Sequence, residues 1–194
     1  MIRLGILHMT ILTDLKERRR LAQARLQPHL WFTPFSVPEI LARVRADHFP
    51  EAPPGVGLFS VNRGPLACIA VGESSPTIYI HQVLNHAETP EEVFTLICKH
   101  ELLHLRIEPA LEGKRLNQHP SAFWEAEKTI APERRLAWCW IWENLGDCLR
   151  RRPRLERIDV QPRWPEVWSR QMCDLSFCRD LLRRTDKAFE PSSW

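Results

Sequence analysis

Residues 89–106, TPEEVFTLICKHELLHLR, constrain the folding of this chain more than any other stretch. Thr89 reads as an N-cap, Pro90 as the first helical position and Glu92 as the third, a combination that satisfies orphan backbone N–H groups. The spacing predicts a helix from Pro90 to about Arg106, with Val93, Phe94, Ile97 and Leu103 directed into a core. Near its C-terminal end this apolar helix carries His100, Glu101 and His104 in the pattern H-E-x-x-H. Residues four apart stand one turn above each other, so the two imidazoles share a face. Two imidazoles so placed can both reach a zinc ion, at about 2.0–2.1 Å from nitrogen to metal. Glu101 is poorly placed to be a third ligand. It is well placed to take a proton from a water that the metal has made acidic. The competing reading, two ordinary histidines on an amphipathic surface helix, fits the apolar neighbours less well.

Catalytic zinc sites use three protein ligands and leave a fourth position open. His119 is the first choice for the third. It follows His104 across a segment, 108–118, that contains the helix breakers Pro109 and Gly113 and reads as a loop. It also stands just before a helix expected to begin near Pro120, a suitable place from which to present an imidazole to a neighbouring helix. Glu125 and Glu127 on that helix, and Glu108 and Glu112 in the loop, are alternative ligands. A carboxylate there would change the charge of the site but not its chemistry.

The rest of the chain supplies the frame. Its 194 residues suit one domain with an appendage. A polar, arginine-rich helix is expected from Asp14 to about Leu26. Another begins at Ser36, where Ser36 and Glu39 form a capping box and Ile40, Leu41 and Val44 form an apolar stripe. After the break PEAPPG, the strand-like GLFSV leads through Asn62-Arg63-Gly64, a hairpin-type turn, into PLACIAV, and TIYIHQVL follows. A last helix opens at Pro132, with Trp138, Trp140 and Trp142 as core residues between helices. The fold class is α+β: a small mixed β-sheet packed against the H-E-x-x-H helix, with additional helices around it.

From Arg150 the character changes: residues 150–184 hold ten arginines against five acidic residues. This divides the chain into a main domain, 1–150, and a basic, tryptophan-containing extension, 151–194. The run Arg150-Arg151-Arg152-Pro153-Arg154 has two readings. It is a solvated helix end, whose dipole favours basic residues, or a phosphate-binding patch with Trp164 and Trp168 as stacking surfaces.

Composition excludes little. A hydrophobic share of 44%, a charged share of 26% and a net charge of +3 are those of an ordinary globular protein and do not by themselves indicate nucleic acid. No run approaches the roughly 20 apolar residues of a membrane span, and the N-terminal MIRLGILHMTIL lacks the pattern of a signal peptide. Six cysteines without a C-x-x-C pair read as reduced thiols acting as small core residues, so the expected compartment is the cytoplasm.

HELLHL, followed by a loop and then HPSAFW, resembles the SprT-like and YgjP-like zinc metallopeptidases, in which the H-E-x-x-H helix is followed by a histidine shortly ahead of a Phe-Trp or similar pair. The resemblance spans about residues 56–150. It implies a zincin-like fold, Zn²⁺ held by His100, His104 and His119, and Glu101 as general base in peptide-bond hydrolysis. Phe123 and Trp124 would pack under the site. TIYIHQVL would be an edge strand on which an extended peptide or protein substrate binds by strand addition. Two features depart from the family. The interval between His104 and His119 is longer than in many members, and the zinc ribbon of some SprT-like proteins is absent. Because SprT-like proteins include proteases acting on DNA-bound proteins, the arginine-rich segment gains interest. The alternative function is a nucleic-acid-associated module with a structural or vestigial zinc site.

Overall fold

The computed structural model describes residues 31–71, 75–113, 115–153 and 156–166. The expected Asp14–Leu26 helix, Trp168, Cys173 and Cys178 lie outside them. Helix α1 (Val37–His48) starts at the capping serine: Ser36 Oγ accepts from the Glu39 N–H at 3.4 Å. Its stripe of Val37, Ile40, Leu41 and Val44 is buried. Helix α2 (Glu91–Arg106) carries the H-E-x-x-H motif and is buried on most sides, with Val93, Phe94, Leu96, Ile97, Cys98, Leu102 and Leu103 in the core. A helix buried on most sides lies at the centre of a fold, and α2 contacts α1, strand β3 (Ala67–Ala70), α3 (Ser121–Ile130) and α4 (Arg134–Leu145). Each fully buried leucine or phenylalanine contributes about 1.5–3 kcal/mol.

The start of α2 differs from expectation by one residue. Pro90 is the N-cap, and Thr89 is buried without a hydrogen bond to its hydroxyl. Proline has no N–H to contribute, and the Pro90 carbonyl accepts from Val93 N at 3.2 Å, so the first turn closes without a side-chain cap.

The main sheet corrects two expectations. Strand β1 (Gly57–Val61) does not form a hairpin with β3. Both pair with β4 (Thr77–His81), parallel for β1 and antiparallel for β3, in the order β1-β4-β3. TIYIH is therefore the central strand and not an edge; the outer strands are β1 and β3. Ile78, Tyr79, Ile80 and His81 are all buried, and pairing along both edges satisfies the backbone N–H and C=O groups of a strand so far from water. Gly64, at φ +112°, turns the chain out of β1, and Gly64–Pro65 (β2) joins a second sheet instead.

That second sheet has the order β2-β8-β7 and is built on a hairpin of β7 (Leu149–Arg152) and β8 (Arg157–Val160). The 150/151 division falls inside β7. Arg150, Arg151 and Arg152 are thus on a strand and not at a helix end, because α4 ends at Leu145 and a 3₁₀ turn, Gly146–Cys148, redirects the chain; Arg154 lies outside the described residues. Arg151 lies over the Trp142 ring at 4.6 Å, and Arg152 Nε is 3.1 Å from Asp159 Oδ2. The segment read as a loop, 108–118, contains a further hairpin, β5 (Ala110–Glu112) with β6 (Arg115–Asn117), whose turn uses Gly113 at φ +64°. Trp138 and Trp142 stack at 6.5 Å, and with Trp140 they pack, partly buried, against the core. The architecture is α+β, and among the described residues no helix is long and apolar enough to cross a membrane.

Candidate metal centre

His100 and His104 stand on the last two turns of α2. The β5–β6 hairpin then reverses the chain and delivers His119 immediately before α3. One ring nitrogen from each of the three lies within 4.8 Å of the others, a cluster that could hold a metal ion. Phe123, wholly buried at the start of α3, forms the floor. Its ring centroid is 4.9 Å from that of His100, 4.5 Å from His104 and 4.8 Å from His119. Trp124 stacks on His119 at 5.0 Å. The sequence motif HPSAFW therefore supplies one imidazole and two aromatic walls.

Two of the three rings are backed by carboxylates. His100 Nδ1 is 2.6 Å from Glu127 Oε1, and the other oxygen of Glu127 accepts from Arg134 Nε at 2.5 Å. His119 Nδ1 faces Glu156 Oε2 at 3.5 Å. A carboxylate only accepts, so these partners place the ring protons on Nδ1. The Nε2 lone pairs of His100 and His119 then face each other at 3.1 Å. Two converging lone pairs repel unless a cation or a shared proton lies between them. One ring nitrogen of His104, Nδ1, is also buried without a hydrogen-bond partner. The donor set is three imidazoles, which suits zinc and its first-row neighbours. The residues fit a metal.

The electrostatics keep most of the cluster in the ligating form. Burial, assisted by the charge of His100, holds His104 well below the ordinary histidine value and His119 down to about 3. Burial also pulls on His100, but the hydrogen bond to Glu127 and the charges of Glu101 and Glu127 outweigh it and raise its pKa. Glu101 is buried on α2, and burial pushes its carboxyl up to about 7 against the opposing pull of His100 and the Ile69 backbone amide on β3. A carboxylate poised near neutrality suits proton transfer.

Of the alternative ligands, the Glu112 side chain lies outside the description, and the other three stand away from the converging nitrogens. Glu125 is exposed and pairs with Lys128 at 3.0 Å. Glu108 is exposed. Glu127 is wholly buried, but behind His100 and not among the ring nitrogens that converge. Two further histidines, His81 and His86, are outside the cluster and cap local turns: Nδ1 of His81 accepts from Val83 N and Nδ1 of His86 from Glu88 N. Sequence reasoning missed the supporting roles of Glu127, Arg134 and Glu156, and the ion pair of Lys99 with Glu133. For Glu127 a signal exists, since it stands one helical turn beyond the buried Phe123 and shares its face. For Glu156, far along the chain, there is none.

Comparison with protein-family models, with curated proteins and with solved structures gives no match for this chain.

Proposed function

We propose that this protein is a zinc-dependent metallopeptidase of the zincin type, hydrolysing peptide bonds in a peptide or protein substrate. The observation that carries the reading is the convergence of His100, His104 and His119 beside the buried carboxylate of Glu101. His100, His104 and His119 would hold the ion, which when bound supplies a Lewis acid for a water and a carbonyl oxygen. Glu101 accepts the proton of the attacking water and returns it to the departing amine, a transfer in which a base with a pKa near 7 is close to optimal. Phe123 and Trp124 exclude solvent from the floor and one side of the site. β3, an outer strand of the main sheet and in contact with α2, is the strand on which an extended substrate would add.

The nucleic-acid-associated alternative draws less support. Arg151 is engaged with Trp142 and Arg152 with Asp159, which leaves Arg150 as the exposed member of the described run without an internal role of this kind. Cys68, Cys98, Cys139 and Cys148 form no disulfide among the described residues, which supports the cytoplasmic reading.

The test is metal analysis and peptide hydrolysis on the purified protein and two variants. Wild type should bind about one equivalent of zinc and cleave a peptide library. His119→Ala should lose the metal, and Glu101→Gln should keep it while losing turnover. Zinc retained in His119→Ala, or full activity in Glu101→Gln, would refute the assignment.

A further inference from the structure

Among the described residues after Arg150, Glu156 reaches the candidate metal centre. Glu156 sits in the turn between β7 and β8, mostly buried, with Oε2 at the focus of three donors. The backbone N–H of Gln118 donates to it at 2.8 Å, that of His119 donates at 3.2 Å, and His119 Nδ1 stands 3.5 Å away. Asn117 Oδ1 accepts from the same His119 N–H at 2.9 Å, so the backbone on either side of the imidazole is held from two directions. Glu156 also has a left-handed backbone, φ +50°, the one such non-glycine residue among those described. That conformation is strained for a residue with a side chain and persists where surrounding contacts over-determine it. Here the Glu156 N–H donates to the Pro153 carbonyl at 3.3 Å, closing the turn, and its carboxylate meets the donors around His119.

We infer that Glu156 is a positioning residue for His119: it fixes the ring's protonated nitrogen and the backbone that carries it, so that Nε2 is presented to the metal. On this inference the β7–β8 hairpin completes the metal site, although its sequence reads as an appendage. Its pairing with Gly64–Pro65 fixes the hairpin, and Glu156 passes that fixed position to the ligand least constrained by its own helix. His100 and His104 need no such help for their backbone, since α2 holds it. Outer carboxylates of this kind typically change metal affinity by about 10- to 100-fold. The inference rests on the metal-binding reading above.

The experiment compares wild type, Glu156→Gly and Glu156→Gln for zinc affinity by chelator competition, for the visible spectrum of the cobalt(II)-loaded protein, and for thermal unfolding without metal. Glycine accepts a positive φ without strain, so Glu156→Gly should unfold no earlier than wild type while binding zinc about 10- to 100-fold more weakly and shifting the cobalt spectrum. Glu156→Gln keeps an acceptor oxygen for the two backbone N–H groups and should fall between. Wild-type affinity and an unchanged spectrum in Glu156→Gly would overturn the inference. If that variant does not fold, the same result in Glu156→Gln overturns it. A wild-type protein that binds no zinc refutes the metallopeptidase reading itself, and the inference with it.

Discussion

His100 Nδ1 and Glu127 Oε1 lie 2.6 Å apart, a hydrogen bond that joins the H-E-x-x-H helix to the helix behind it. Burial opposes the charge on Glu127, yet its bonds to His100 and Arg134 hold its carboxyl below the usual range, so it stays an anion. The anion fixes the His100 tautomer and makes the ring a better donor to a cation. Glu127→Gln should weaken zinc binding by about 10- to 100-fold while leaving Glu101 chemistry in whatever fraction is loaded. Chelator competition checks this. Unaltered affinity would mean that α2 alone orients His100.

Glu101→Gln removes the proton acceptor and preserves the shape of the side chain. General acid–base catalysis contributes about 10²- to 10⁴-fold, and kcat should fall by at least that range with zinc content unchanged. Equal losses of metal and activity would instead give Glu101 a part in holding the ion.

His81 predicts an acid limb in folding stability. Burial depresses its pKa to about 3, against the weaker opposing effect of the Asn62 backbone. Between about pH 6.5 and 3 the unfolded chain therefore takes up a proton that the folded chain refuses. Stability falls as pH drops through that window, by at most about 1.4 kcal/mol per pH unit from this residue, and is unaffected by it above pH 6.5. Asparagine is a good N-cap and can replace Nδ1 of His81 as acceptor for Val83 N. His81→Asn should flatten this limb in urea titrations run from pH 7 to pH 4. A wild-type-minus-variant difference that stays constant with pH would exclude His81 as its source.

Lys99 and Glu133 form a nearly buried ion pair at 2.9 Å, with side chains 7% and 12% exposed. It ties α2 to the residue just before α4. Removing one partner strands the other, and Glu133→Ala should cost about 3–5 kcal/mol of unfolding free energy. A double replacement, Lys99→Met with Glu133→Leu, should recover much of that. Chemical denaturation decides; a loss below about 1 kcal/mol, the worth of an exposed pair, would show that water reaches the bridge.

By itself the sequence determined the elements whose signals are local. The Ser36 cap, the stripe of α1, the span of α2 to within a residue and the start of α3 after Pro120 follow from capping chemistry and from the 3.6-residue period. The juxtaposition of His100, Glu101 and His104 follows from the same geometry, and HPSAFW marked His119 without help from folding. Tertiary structure decided the rest. Residues 57–61 and 67–70 look like a hairpin because they are neighbours in the chain, but residues 77–81, buried from Ile78 onward, pair with both and lie between them. The second sheet, Lys99 with Glu133, and Glu156 behind His119 depend on pairings across tens of residues, which no local pattern encodes. The histidines are written in the sequence. The carboxylates that aim two of them come from other elements, and only burial and strand pairing bring those elements to the site.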